Sequence, residues 1–248
     1  MAEKPGDVVS VDMIHSPIGG PIPVSKGKTV REKYKITVIF VDQCSQLVYV
    51  TYQLSLSAAE TVESKHQFEQ WAASHGVQIK HYCADNGSFN ARVFKESVAT
   101  ARQTIDFCGA YTHHQNSVVE HMIQTLTYRD CALLLHAMFH WSDMVTAEFW
   151  PFPLRPVVDM HNNSPLANGL CPIELFSNVK HCTNIKDYHM FRCPVYVLDA
   201  RLCTGGTVPK WSPQAQCSIY LSMSPEHASN ILHWFTTRQL GICPLNNT

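Results

Sequence analysis

No apolar run in this chain approaches the ~20 residues that a membrane-crossing helix needs, so no helical span is expected. Basic charge is not in excess: 19 Lys and Arg stand against 20 Asp and Glu. Neutralising phosphates supplies most non-specific nucleic-acid affinity, so the composition advertises no broad DNA-binding face and leaves room only for a local basic patch. The ten cysteines form no C-x-x-C pair and no regular spacing. Reduced intracellular thiols are the plain reading. His181, Cys182 and Cys193 fit no zinc template. The opening residues, Met-Ala-Glu-Lys-Pro-Gly-Asp, lack the apolar stretch of a signal peptide. There is no internal repeat and no low-complexity segment. What remains is 45% hydrophobic and 16% charged, the composition of a globular protein. Its 248 residues allow one large domain or one with a small companion.

Taken in order, Val8 to Met13 reads as a strand and Ser16 to Pro23, dense in Pro and Gly, as loop. Lys26, Lys28, Arg31, Lys33 and Lys35 form a charged connector, either a solvated loop or a DNA-facing strip. Ile36–Val41 and Leu47–Tyr52 predict a hairpin around Asp42, read as a turn residue. Ser57-Ala-Ala-Glu60 is a capping-box pattern that predicts a helix to about Ser74, ended by His75-Gly76. Val77 to Ala84 alternates as a strand, and a short helix follows from about Ala91 to Ala101. Thr104–Phe107 fits a fifth strand, and Cys108 to Asn116 reads as a mobile loop. A long helix to about His140 carries Val119, Met122, Ile123, Leu126, Leu133, Leu134 and Ala137 on its apolar side. The next helix, from Ser142 to about Met160, should kink or break at Pro151, Pro153 and Pro156. After Asn162-Asn163-Ser164-Pro165 the pattern changes to short apolar runs, Pro194–Leu198, Ser218–Leu221 and Ile231–Phe235, which predict a small β-rich module. The expected division is 1–163 and 164–248. The pattern alone supports a mixed α/β domain.

Three acids end or begin regular elements. Asp12 follows a β-prone run, Asp85 follows a strand and precedes Asn86-Gly87, and Glu120 opens the long helix. Carboxylates converging from separate elements can hold two divalent ions, because Mg²⁺ takes oxygen ligands and keeps several waters. Each acid has another reading. Asp12 can be a plain surface acid. Asp85 can close an Asx-turn. Glu120 can complete a capping box with Ser117.

The residues around these acids carry a family likeness. Asp85-Asn-Gly-Ser-Phe-Asn resembles the D-N-G-x-x-F motif of retroelement integrases, and His114-Gln-Asn-Ser-Val-Val-Glu120 resembles their Q-N-G-x-x-E motif. Tyr34 to Gln46 is similar to their second-strand block. Pro172-Ile-Glu-Leu-Phe, Phe191-Arg-Cys-Pro-Val-Tyr-Val, Pro209-Lys-Trp-Ser-Pro and Ile219-Tyr-Leu resemble the post-core region of copia-type LTR retrotransposon Pol polyproteins. The resemblance runs from about Asp7 to near Pro244.

It implies a ribonuclease H-like mixed sheet flanked by helices, followed by a small SH3-like module. It implies an integrase catalytic core performing DNA integration: metal-dependent end processing and strand transfer. Asp12, Asp85 and Glu120 would be the catalytic and metal-holding residues, with two Mg²⁺ or Mn²⁺ ions. DNA contacts would fall to Asn86, Gln115, Asn116 and Gln124, with Lys26 and Lys28 from the basic connector. The implied partners are element ends and target DNA, with a homo-oligomer, in the nucleus or cytoplasm and away from membranes. The zinc-binding region that precedes such cores is not represented.

The chain also departs from the pattern. Ser117 stands where the family has Gly, and His121 where it has Arg or Lys. Arg192-Cys193 replaces Gly-Cys, and Leu221-Ser222 replaces Leu-Gly. Lost glycines threaten turns of positive φ, and lost basic residues weaken phosphate contacts. Two further readings therefore stand beside the enzyme: a catalytically silent remnant, and an unrelated nuclease of the same fold.

Overall fold

The computed structural model describes residues 2–22, 32–107, 117–180, 189–223, 230–235 and 240–244. Strands β1 (Val9–Pro21), β2 (Lys33–Asp42) and β3 (Val48–Gln53) form an antiparallel meander. Helix α1 (Ala58–Ser74) crosses to β4 (His81–Ala84), and α2 (Arg92–Thr100) crosses to β5 (Thr104–Phe107). Both of these strands run parallel to β1, giving one five-stranded sheet ordered β3-β2-β1-β4-β5.

The unbroken apolar run of β2 shows why the sheet is covered on both faces. Val38 and Phe40 point into a core with Phe68 of α1 and Phe94 of α2. Ile39 and Val41 point the other way, onto Val119 and Leu126 of α3 (Ser117–His140) and Leu154 and Val157 of α4 (Pro151–Asn162). Ser57 caps α1 by accepting from the Glu60 N–H at 3.2 Å. The Glu60 carboxylate reaches back to the Leu54 N–H at 2.6 Å, tying the helix to the end of β3. Asp42 is the turn residue expected. Fully buried, it accepts from the Gly6 and Ser45 N–H groups, both at 2.8 Å, and from the Ser45 hydroxyl at 2.7 Å.

The loop expected from Ser16 is instead strand as far as Pro21, paired with β2 across a register shift between His15 and Gly20. Two distant contacts decide this. Trp150 Nε1 donates to the Ile18 carbonyl at 2.8 Å. Gly20 lies so close to Pro151 that a Cβ there would stand 2.2 Å from the ring. The segment from Ser142, expected to be a helix kinked or broken at its prolines, is a turn, a short 3₁₀ segment at Ala147–Phe149, and then α4, which starts at Pro151 and runs through Pro153 and Pro156. Pro151 opens α4, where its missing N–H costs nothing.

Beyond α4 lie α5 (Pro172–Ser177), β6 (Pro194–Leu198), α6 (Ala200–Cys203), β7 (Ala215–Met223), β8 (Asn230–Phe235) and β9 (Leu240–Pro244). The four strands form an antiparallel sheet in sequence order; β9 was not anticipated. A third apolar cluster joins Leu134 and Ala137 of α3 and Phe152 of α4 to Phe191 and Leu221. Two positions where the resemblance leads one to expect glycine have local peculiarities. Arg192 adopts φ of 72°, a left-handed conformation that glycine takes without strain. Ser222 follows a register shift between β7 and β8.

Candidate active site

Asp12 sits where β1 passes between β2 and β4. Its neighbours Val11 and Met13 face the α1 and α2 side, so Asp12 faces α3, as Ile14 does. On the other side β1 and β4 run in parallel register, Ser10 beside Cys83 and Val11 beside Ala84. Continuing that register by one position would set Asp12 beside Asp85, just past the end of β4. Glu120 lies in the first turn of α3, whose Val119 and Met122 are buried against the same sheet face.

The charges of these acids are felt across the site. Burial, then the negative charges of Asp85 and Glu120, push the Asp12 carboxyl up to about 6. The Met13 N–H, donating to Asp12 Oδ1 at 2.7 Å, pulls the other way. Asp85 is exposed and accepts from the Gly87 N–H at 3.2 Å, so the Asx-turn is present. Gly87 matters here, since a Cβ would sit 3.1 Å from the Asp85 carboxylate. Among the described residues, no three His, Cys, Asp or Glu side chains meet at metal-holding distance. Asp12 and Asp85 each commit a carboxylate oxygen to a nearby backbone N–H.

Of the expected DNA contacts, Asn86 Oδ1 accepts from Asn90 Nδ2 at 2.6 Å, and Gln124 Nε2 donates to the Tyr128 hydroxyl at 3.1 Å. Both Asn86 and Gln124 are exposed. Lys26, Lys28, Gln115 and Asn116 lie outside the described residues, as do the expected mobile loop and His181 and Cys182. Lys33, from the basic connector, pairs with Glu148 at 2.9 Å.

Two features escaped the sequence reading. Behind β4, fully buried Lys65 pairs with Glu69 at 3.0 Å, and the Tyr82 hydroxyl and Gln103 Nε2 both donate to Glu69. This network holds the strand that delivers Asp85. The second is Asp130, buried on α3, its Oδ1 without a hydrogen-bond partner and its carboxyl pushed up to about 7 by burial. The signal for it was present, because Asp130 stands between Leu126 and Leu134 on the apolar side of the helix.

A five-stranded mixed sheet of this order, flanked by helices, with Asp12 inside β1 and Asp85 just past the end of β4, is a ribonuclease H-like α/β fold. Solved structures agree. The chain is similar to the HTLV-2 integrase catalytic core domain in its trimeric complex with magnesium: 15% identity, 71% of this chain and 99% of that one, TM-score 0.50. It is also similar to a chain of the simian T-cell lymphotropic virus intasome in complex with the PP2A regulatory subunit B56 gamma: 13% identity, 99% of this chain and 78% of that one, TM-score 0.54. No protein-family model and no curated protein matches the sequence. Among the described residues, no helix is long and apolar enough to cross a membrane.

Proposed function

We propose that this chain is the catalytic core of a copia-type retrotransposon integrase, processing DNA ends and joining them to target DNA. The observation that carries the reading is the Asp12 carboxyl, raised by burial and then by the charges of both Asp85 and Glu120, beside the parallel register of β1 and β4 that brings Asp12 towards Asp85. Like charges gathered at one place oppose ionisation, and a cluster of this kind suits divalent cations. Asp12, Asp85 and Glu120 would hold two Mg²⁺ or Mn²⁺ ions, with Asp12 and Asp85 sharing them and Glu120 holding the second. Such ions stabilise the attacking and leaving oxygens of an in-line phosphoryl displacement.

The chain's own residues prepare the site. Asp12 gives up the proton that its neighbours' charges favour and turns from the Met13 N–H. Asp85 turns from the Gly87 N–H. Asn86 and Gln124 offer exposed amides to the DNA, with Gln115, Asn116, Lys26 and Lys28 adding contacts in this reading. The core would span residues 1–163 and the SH3-like module 164–248, acting as a homo-oligomer in the nucleus or cytoplasm. The motif resemblance supports the copia-type assignment, and the magnesium complex of the HTLV-2 core supports the choice of ion.

The test is Asp85→Asn. Mg²⁺- and Mn²⁺-dependent strand transfer should vanish while the fold persists, because removing one charge from an acid cluster relieves repulsion. DNA joining by a folded Asp85→Asn protein would end the proposal. A silent remnant is the second reading, favoured by Arg192 at φ of 72° where the family has Gly. Wild-type protein that binds Mn²⁺ through the acids yet joins no DNA would support it.

A further inference from the structure

Away from the carboxylates, the C-terminal end of α3 carries two exposed histidines, His136 and His140. Four residues apart, they lie on one helix face. Their Nε2 atoms are 3.2 Å apart. The ring centroids are 4.6 Å apart and the planes are inclined at 65°. A straight N–H···N hydrogen bond would separate the centroids by the 3.2 Å plus two ring radii, more than is observed. The rings are therefore bent relative to each other, and a small rotation brings both nitrogens onto a common point. Zinc–imidazole bonds run about 2.0–2.1 Å, so two nitrogens on one tetrahedral ion stand about 3.3 Å apart. The observed separation matches that bite.

The pair borders a cavity of about 330 Å³, also lined by Trp141, Phe191, Arg192 and Cys193, which leaves room for water on an ion although the Arg192 guanidinium adds positive charge there. Two further points suit a cation. His140 is the last residue of α3, where the helix dipole favours positive charge. Imidazole suits zinc, nickel and cobalt, whereas oxygen ligands suit magnesium, so this site and the carboxylates would not select the same metal. Among the described residues no third His, Cys, Asp or Glu joins the pair, and burial pushes the Cys193 thiol up, away from the thiolate a metal needs.

We propose that His136 and His140 bind one divalent transition-metal ion of the zinc, nickel or cobalt type through their Nε2 atoms, with water filling the other positions.

Untagged full-length protein is titrated with Ni²⁺ and Zn²⁺ by calorimetry and by thermal melting, beside Mg²⁺. The expected result is one tight equivalent and a raised Tm with Ni²⁺ or Zn²⁺, since a ligand bound only by the folded state stabilises it. His136→Ala and His140→Ala should each weaken that equivalent by at least about tenfold, and Cys193→Ser should leave it unchanged. Both histidines are exposed, so the variants should keep the wild-type metal-free Tm. Equal Ni²⁺ and Zn²⁺ binding by wild type and the double His136→Ala, His140→Ala variant would overturn the site, leaving a hydrogen-bonded pair only. Loss of the equivalent in Cys193→Ser would overturn its two-imidazole composition.

Discussion

Asp130→Asn tests whether a carboxyl buried in the α3 packing behaves as its surroundings dictate. Asp130 is 8% exposed and its carboxyl lies at about 7, against an ordinary 3.8. The folded state thus keeps a proton that the unfolded chain releases. Stability from this group is fully present below about pH 4 and is lost as pH rises through about 7. The whole difference is on the order of 4 kcal/mol, at 1.36 kcal/mol for each tenfold change in proton affinity. Asparagine keeps the shape and removes the titration, although its amide donors, if unpaired, cost roughly 1–3 kcal/mol. At pH 8 the variant should be more stable than wild type by roughly 1–3 kcal/mol. At pH 4.5 it should be equal or less stable. Urea unfolding at both pH values reads the sign directly. Asp12 titrates over a neighbouring range in both proteins, so its contribution cancels in the comparison. A difference between variant and wild type that does not change with pH would refute the reasoning.

Arg192→Gly should raise stability by about 1–2 kcal/mol, because it relieves a left-handed non-glycine residue and removes a guanidinium with no acceptor. The stacking of Arg192 on Phe149, 4.3 Å from the ring, offsets part of the gain; a lowered Tm would show that this contact dominates. Divalent-ion binding at the acids should weaken as pH falls through about 6, where Asp12 takes up its proton; Mn²⁺ titrations at pH 5 and 7.5 check this, and equal affinities would count against Asp12 as a ligand. Gln124→Lys with Thr127→Lys should steepen the salt dependence of duplex binding by up to about two units of log–log slope. A steep wild-type slope that the double variant leaves unchanged would place the grip elsewhere, in the basic connector or the C-terminal sheet.

Local pattern alone determined the elements whose cause is local. The Ser57 cap and His75-Gly76 bounded α1, and the apolar run Ile36–Val41 marked a strand of the hairpin around Asp42. The periodic apolar side of α3 set that helix and left Glu120 in its first turn. Asp85 and Glu120 were legible because one follows a strand and the other opens a helix; Asp12 was read at the end of a short strand that in fact continues to Pro21. The motif resemblance led one to expect glycine at position 192, and Arg192 there adopts a left-handed φ of 72°. Only the tertiary structure decided what depends on distant partners. β1 runs through Ser16 to Pro21 because β2, Trp150 and Pro151 meet it there. Asp12 feels Asp85 because β1 and β4, far apart in the chain, run side by side in parallel register. Lys65 and Asp130 both stand on buried helix faces, yet one is paired and the other is not. Periodicity says which way a side chain points; only the assembled fold says whether a partner waits there.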